Sequence, residues 1–245
     1  MSPLNRIACL NALQLKLLAM ALMLCDHMWA TVVPGAMWLT NIGRLAFPIF
    51  AFQIVEGYAH TRNFKKYILR LVIFALISEL PFNLMMGGDL FYPLDQNVMF
   101  TFLEALLLVR LLDYCKSKNR TLFIVMIPVT LILGFALGFA TMVDYYGFGV
   151  LTVLVFYLSR NLKFGWLIQL AGLWVINVNL MGGMDIPVDL FGHELFISQQ
   201  GLALLALIPI WLYNGRQGRH SKAIQYACYA FYPVHILVLA LLALI

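Results

Sequence analysis

Apolar runs of membrane-spanning length follow one another along almost the whole of this 245-residue chain. A helix needs about 20 consecutive apolar residues to cross a bilayer, where its backbone groups must bond to each other. Hydrophobic residues make up 63% of the chain and charged residues only 11%, with a mean hydropathy of +0.89. We therefore predict an all-α, polytopic membrane protein in which one transmembrane domain fills residues 1–245.

Breaks between these runs predict about nine transmembrane helices. Lys and Arg fall in every second loop, whereas the intervening loops carry Asp and Glu and neither Lys nor Arg. The positive-inside rule therefore predicts a cytoplasmic N-terminus and an outside C-terminus. Because topology accounts for the basic charge, we expect membrane lipid and no nucleic acid as a partner. The predicted spans are 11–33, 42–59, 64–85, 97–115, 121–142, 147–160, 163–181, 199–214 and 222–244.

Ionisable residues inside the predicted helices point to function. Asp26 and His27 are adjacent in the stretch 15–33, which is otherwise apolar enough to span a bilayer, although each charged group at the bilayer centre costs several kcal/mol. Histidine is the side chain best matched to proton transfer near neutral pH. Polar groups of other helices fall in the middle or the outer half of the membrane, namely Arg44, Glu79, Asn83, Asn97 and His235.

A second polar group is predicted near the cytoplasmic side. Gln53, Glu56 and His60 share one face of the second helix, and Lys16 lies about three turns below His27. The loop that follows is basic, with Arg62, Lys65 and Lys66. Together the two groups predict a polar passage from a basic cytoplasmic mouth to a site nearer the outer surface.

Purely structural roles explain several of these residues equally well. Arg44 paired with Asp26 or Glu79 would hold helices together, as interhelical polar contacts commonly do. His235, two residues after Pro233, would satisfy a carbonyl that the proline frees. The longest predicted outer loop, from Gly182 to Gln200, is either a connector or a cover over an acceptor entrance.

Several segments resemble the TraX family. That family includes a conjugation-associated protein that acetylates the N-terminus of F-type pilin. The most specific segment is Gly43-Arg44-Leu45-Ala46-Phe47-Pro48, which follows a membrane Asp-His pair. The resemblance extends over nearly the whole chain. Further matching segments are Glu56-Gly57-Tyr58, His60-Thr61-Arg62-Asn63, Glu79-Leu80-Pro81-Phe82-Asn83, Asn97-Val98-Met99-Phe100-Thr101, Asp144-Tyr145-Tyr146-Gly147-Phe148-Gly149 and Phe231-Tyr232-Pro233-Val234-His235.

The resemblance implies acetyl transfer from cytoplasmic acetyl-CoA in a bacterial inner membrane, with no metal. The acceptor would be an amine or hydroxyl on a peptide, glycan or lipid. His27 would act as general base, oriented by Asp26 or Glu79, while Arg44 or Asn83 would hold the thioester oxygen. His235 is the second candidate base, and a two-step route through an acetyl-histidine stays open. Residues expected to hold the donor are Lys16, Gln53, Glu56, His60, Arg62, Lys65, Lys66, Asn83, Asn97 and Tyr232.

Two other classes of protein compete with an enzyme. A proton-coupled small-solute transporter would use the same intramembrane acids, histidines and arginine as a relay. Many secondary transporters contain repeated halves, and no repeat is visible in this chain. A non-catalytic scaffold for pilus assembly would leave the buried acid, histidine and arginine without a role.

Overall fold

The computed structural model describes residues 7–190 and 193–244. The fold is all-α apart from one two-stranded antiparallel hairpin. Two short segments depart from α-helical geometry: a π-helical stretch at Val175–Leu180 and a 3₁₀ segment at Gln199–Ala206. The elements are α1 (Ala12–Ala30), α2 (Met37–Gly43), α3 (Ala46–His60), α4 (Phe64–Gly87), α5 (Val98–Lys118), α6 (Arg120–Ala140), α7 (Tyr146–Ser159), α8 (Gly165–Trp174), β1 (Asp185–Leu190), β2 (His193–Ser198), α9 (Leu207–Trp211) and α10 (Lys222–Leu242).

Short polar side chains mark the starts of the long helices. Asn11 Oδ1 accepts a hydrogen bond from the Gln14 backbone N–H at the start of α1, and the Asn11 N–H donates in return to Gln14 Oε1. This reciprocal pair satisfies two backbone donors that the first helical turn would otherwise leave unbonded. At the starts of four other helices a side-chain oxygen accepts a backbone N–H, through Asn63, Asn97, Asn119 and Ser221.

Four helical stretches in the described part of the chain are long and apolar enough to cross a membrane. They are Met37–His60, Phe64–Gly87, Arg120–Ala140 and Lys222–Leu242. The all-α membrane class predicted from the sequence agrees with these stretches. Each of the nine predicted segments contains helical structure. How many of them cross a bilayer, and in which direction, stays a prediction.

The predicted span 42–59 differs from the structure because its helix is interrupted. α2 ends at Gly43 and α3 begins at Ala46. Pro48 has no backbone N–H, and its ring would clash with the carbonyl of Arg44 four residues earlier in a continuous helix. The interruption therefore falls where the proline requires it, and it places Arg44 at a helix end rather than on a regular helical face.

The chain divides into two compact units. The first comprises Met1–Phe50 and Leu158–His220, and the second comprises Ala51–Tyr157 and Ser221–Ile245. In the first unit α1 packs on α2, and the π-helical stretch contacts α8 and the 3₁₀ segment. In the second unit α4 packs on α10 and α5, and α5 packs on α6. That residues 1–245 form a single transmembrane domain stays a prediction.

The hairpin forms the one β-sheet in the described part of the chain. β1 and β2 pair antiparallel, with Asp185 opposite Ser198 and Asp189 opposite Glu194. Just beyond the strands, the Gln199 backbone N–H donates to the Met184 carbonyl at 2.9 Å. The sequence predicted a loop here, since Pro187 and the glycines on both sides are typical of irregular structure.

Candidate functional site

An ion pair between α1 and the end of α2 is the centre of the polar cluster in the first unit. Arg44 Nη2 lies 2.5 Å from Asp26 Oδ1, and both side chains are about a fifth exposed (20% and 18%). Thr40 Oγ1 donates to the same Asp26 oxygen at 2.7 Å. The Asp26 carboxylate therefore accepts hydrogen bonds from Arg44 and from Thr40. The predicted pairing of Asp26 with Arg44 is present in the structure.

Two amide side chains extend this cluster to the π-helical stretch. Asn177 Nδ2 donates to the Leu173 carbonyl at 2.9 Å, so its Oδ1 faces Gln200 and accepts from Gln200 Nε2 at 3.0 Å. Gln200 Oε1 then accepts from Arg44 Nη1 at 3.5 Å. Because each amide has one donor end and one acceptor end, the carbonyl of Leu173 determines which end of Gln200 faces Arg44.

A close approach of backbones brings Asp26 and Arg44 together. Gly43 is buried against Asp26, and a Cβ at position 43 would lie 2.9 Å from the Asp26 Cα and 2.7 Å from Oδ1. Small residues at a helix interface permit this kind of contact. The glycine that precedes Arg44 is therefore required by the packing of α1 on α2.

The two remaining predicted residues of α1 lie in the same unit as this ion pair. His27 is in the last turn of α1, where its ring is partly buried and its backbone carbonyl accepts from Thr31 Oγ1 at 2.6 Å. Lys16 is also partly buried, in the N-terminal half of the helix. His27, Asp26 and Arg44 therefore belong to the same unit, and the role of His27 as a base stays a prediction.

A second polar cluster lies in the second unit, between α4 and the start of α5. Asn97 Nδ2 donates to Glu79 Oε2 at 2.5 Å and to the Ala75 carbonyl at 2.9 Å. With its amide nitrogen turned toward Glu79, Asn83 donates to Glu79 Oε1 at 3.2 Å. Asn97 is fully buried and Asn83 nearly so. The face predicted from the spacing of Glu79 and Asn83 is therefore present, and it receives Asn97 from the next helix.

His235 lies in α10 of the second unit and is buried, with 7% of its surface exposed. Its Nδ1 is 2.7 Å from the Phe231 carbonyl, and its ring stacks on that of Phe231 at 4.5 Å. Since a carbonyl only accepts, Nδ1 carries the proton and the neutral ring has its basic lone pair on Nε2. Tyr232, also predicted at the site, is buried with its ring 5.8 Å from that of His235.

The residues predicted for the donor's cytoplasmic end lie where α3 ends and α4 begins. His60 Nδ1 contacts the Glu56 carbonyl at 2.8 Å, and Glu56 Oε2 lies 3.8 Å from the same ring nitrogen. Arg62, Lys65 and Lys66 are exposed around the Asn63 cap of α4, and Gln53 is partly buried one turn before Glu56.

A polar cluster of α3, α5 and α7 was not predicted from the sequence. Asp113 accepts hydrogen bonds from Tyr58 Oη at 2.6 Å and from Tyr157 Oη. The guanidinium of Arg110 lies 5.6 Å above the ring of Phe64, beside this group. In the sequence, Asp113 is an acid near the end of an apolar helix, and such a residue could equally well belong to a loop. Thr40, Asn177 and Gln200 were missed because isolated hydroxyl and amide residues are common in membrane helices.

One acid outside the candidate spans has a perturbed acidity. Burial, together with the nearby charge of Glu79, raises the pKa of Asp95 from 3.8 to about 6. The adjacent Gln96 exchanges backbone hydrogen bonds with the turn between α6 and α7, donating to the Met142 carbonyl and accepting from the Asp144 N–H. These two backbone hydrogen bonds therefore fix the position of the loop before α5, near Glu79.

Comparison with known proteins decides the family. The family model of the TraX protein matches residues 12–243. The chain belongs to the TraX family. All the segments that predicted this membership lie inside the matched range, so the resemblance inferred from them is confirmed.

A curated relative of this TraX-family chain has a name connected with fimbriae. The chain is 31% identical over 246 aligned residues to a probable fimbrial assembly protein FimC, serogroup H1, of Dichelobacter nodosus. The alignment covers 94% of this chain and 94% of the relative. No solved structure matches the chain.

Proposed function

We propose that this chain is a membrane acetyltransferase that moves an acetyl group from acetyl-CoA to an acceptor amine or hydroxyl at or beyond the bacterial inner membrane. The observation that carries the proposal is Arg44, a partly buried guanidinium held by Asp26, Thr40 and Gln200 in a TraX-family chain. A guanidinium fixed in this way provides preorganised positive charge for an oxygen that becomes negative during acyl transfer.

The chemistry requires a base and an oxyanion partner. The acceptor nitrogen or oxygen attacks the thioester carbonyl, and His27 takes the proton that the acceptor loses. Negative charge develops on the carbonyl oxygen, where Arg44 stabilises it. The carbon–sulfur bond then breaks, and the departing thiolate takes the proton that His27 accepted, so that CoA leaves as the thiol and His27 is neutral again. Asp26 acts through Arg44 in this scheme, because its contacts orient the guanidinium rather than the substrate.

His235 is the alternative base. Its Nδ1 faces the Phe231 carbonyl, which leaves Nε2 as the atom that can accept a proton. It shares the second unit with Glu79, Asn83 and Asn97, which are the other residues predicted around the thioester. The two histidines therefore make different predictions for substitution, and one experiment separates them.

The donor would bind at the predicted cytoplasmic face. Arg62, Lys65 and Lys66 offer exposed positive charge for its phosphates. Its pantetheine arm would pass Gln53 and Glu56, which belong to the same unit as these basic residues. This scheme uses the nine-helix topology with an inside N-terminus, under which the loop 182–200 faces outward.

The test measures acetyl transfer by the purified full chain in detergent or lipid nanodiscs. Acetyl-CoA labelled in its acetyl group is supplied with a peptide amine, and acetylated product is counted for wild type and for the variants His27→Ala and His235→Ala. We expect His27→Ala to abolish transfer while acetyl-CoA binding persists, and Lys65→Glu/Lys66→Glu to weaken binding. Loss of transfer in His235→Ala alone would reassign the base. Proton flux into vesicles with no acetyl transfer would favour the transporter.

A further inference from the structure

The two edges of the hairpin in the predicted outer loop differ in the backbone hydrogen-bonding groups that they expose. The Gln199 N–H donates to Met184, so this pair of opposite residues is hydrogen-bonded. Hydrogen-bonded and non-hydrogen-bonded pairs alternate along an antiparallel ladder. The pair Pro187 and Phe196, three positions further along, is therefore non-hydrogen-bonded, and the backbone groups of both residues point away from the partner strand.

Because of this alternation, the two edges differ in their capacity to form hydrogen bonds with another strand. On the β1 edge the outward residues are Asp185, Pro187 and Asp189, and the proline in the middle of them offers no N–H. On the β2 edge the outward residues are Glu194, Phe196 and Ser198, and each has both an N–H and a carbonyl. The sheet contains two strands within the described part of the chain, so no third strand there covers β2. Such an edge is a template for another extended chain.

The charge of the hairpin favours a cationic chain. Asp185, Asp189 and Glu194 are exposed, and the stretch from Gly182 to Gln200 contains neither Lys nor Arg. Asp189 lies directly opposite Glu194. Exposed acidic side chains on one partner favour positive charge on the other. The ring of Phe196 is 67% exposed on the same edge, where it offers apolar surface.

The end of β2 leads directly to the ion-pair cluster. Ser198 is followed by Gln199, which donates to Asn41 Oδ1 at 2.8 Å, and by Gln200, which accepts from Arg44. A chain that pairs antiparallel to β2 starts opposite Ser198 and ends opposite His193. Its first residue, and hence its amine, would therefore lie at the end of β2 nearest Gln200 and Arg44.

We infer that β2 is the docking edge for the acceptor, an extended peptide that pairs antiparallel with it, presents a free N-terminal amine beside the Gln200 end, and carries Lys or Arg in its first residues. This inference rests on the proposed acetyl transfer and deepens it by naming the strand edge on which the acceptor docks. The hairpin would then bind the acceptor directly, whereas the sequence predicted either a connector or a cover over an acceptor entrance here.

The test uses backbone N-methylation, which removes hydrogen-bond donors without changing side chains. A lysine-containing peptide is prepared in two forms, N-methylated at its odd or at its even positions, and its affinity for the purified full chain is measured by fluorescence anisotropy. Only alternate residues of a docked strand face β2. We expect one form to lose roughly tenfold in affinity and the other to bind like the parent. Equal affinities for both forms would overturn the inference.

Two variants of the protein provide the matched control. Phe196→Pro removes the outward N–H, whereas Phe196→Ala removes the same ring and keeps the N–H. We expect the proline variant to bind the parent peptide roughly tenfold more weakly than the alanine variant. A glutamate version of the peptide should bind wild type more weakly than the lysine version, and stronger binding by the glutamate version would overturn the charge argument.

Mass spectrometry of the same peptides separates this inference from the proposed function. Alternating affinities with no acetylated peptide would leave the docking edge standing and refute the acetyl transfer. Acetylation that is unchanged by N-methylation and by Phe196→Pro would leave the transfer standing and refute the docking edge. Neither binding nor acetylation by a folded wild-type protein would refute both.

Discussion

Replacing Gly43 by alanine tests whether the contact between α1 and α2 is as close as the structure describes. The added Cβ would lie 2.9 Å from the Asp26 Cα, which is a backbone atom and cannot move by side-chain rotation. Carbon atoms in contact prefer separations of about 3.5–4.0 Å, so the helices must separate by roughly 0.5–1 Å. That movement would also lengthen the Arg44 contact with Asp26.

The expected cost follows from two opposing effects. Overpacking in a tightly packed interior costs about 1–3 kcal/mol. Alanine regains about 0.5–1 kcal/mol over glycine in a helix, because glycine loses more backbone freedom on folding. The net expectation for Gly43→Ala is therefore a loss of about 1–2 kcal/mol in the free energy of unfolding.

Gly35→Ala is the matched control for this measurement. Nothing lies within 4 Å of a Cβ built at Gly35, and the residue does not have a positive φ. Its substitution should change stability by less than about 0.5 kcal/mol. Unfolding is followed by circular dichroism while sodium dodecyl sulfate is titrated into purified protein in mixed micelles. Unfolding of both variants at the same detergent fraction as wild type would contradict the close contact between α1 and α2 at Gly43.

Three further predictions concern charged groups. Asp26→Ala should cost about 2–4 kcal/mol because it leaves Arg44 without its carboxylate, and Asp26→Leu/Arg44→Met should recover more than half of that loss in the same titration. Because the pKa of Asp95 is raised to about 6, the folded state holds its proton more tightly than the unfolded state. Stability should therefore fall as the pH rises from about 4 to 6, and Asp95→Asn should remove that fall when unfolding is measured at each pH. Asp113→Leu should cost about 2–4 kcal/mol because two tyrosine hydroxyls lose a charged acceptor, whereas an unchanged unfolding midpoint would mean that they bond elsewhere.

The helical segments were predictable because their signal is local. A stretch such as 121–142 is apolar on every side, and α6 occupies Arg120–Ala140. Its N-terminal cap, Asn119, is likewise visible in the sequence. Bilayer thickness limits the length of such a run, so its ends can be estimated from composition alone.

The hairpin could not be predicted in the same way. Its strands are short, they contain Pro187, and they are bounded by glycines, which together are typical of a loop. Strand pairing depends on contacts between residues that are distant in sequence, such as Asp185 with Ser198. Nothing local distinguishes that pairing from an irregular connection.

The charged residues of the candidate site could be predicted from the sequence, whereas the contacts of its uncharged polar residues could not. Asp26, Arg44 and Glu79 were identified because an ionisable group is costly inside a membrane. Asn97 was placed near the site by its position on one helix face, but its hydrogen bond to Glu79 joins two helices. Gln200 is more than 150 residues away from Arg44 in the chain, and only folding brings the two side chains together.

The sequence by itself determined the class of the protein, its membrane-spanning candidates, its family and the charged residues that a bilayer would not tolerate without a use. These properties follow from composition and from short-range spacing, which folding does not change. Tertiary structure alone decided which polar groups meet: Thr40 and Gln200 at Arg44, two tyrosines at Asp113, and an open strand edge that ends beside Gln200. Such contacts depend on how separate helices pack, because a hydrogen bond forms only when donor and acceptor come within about 3 Å in the right orientation.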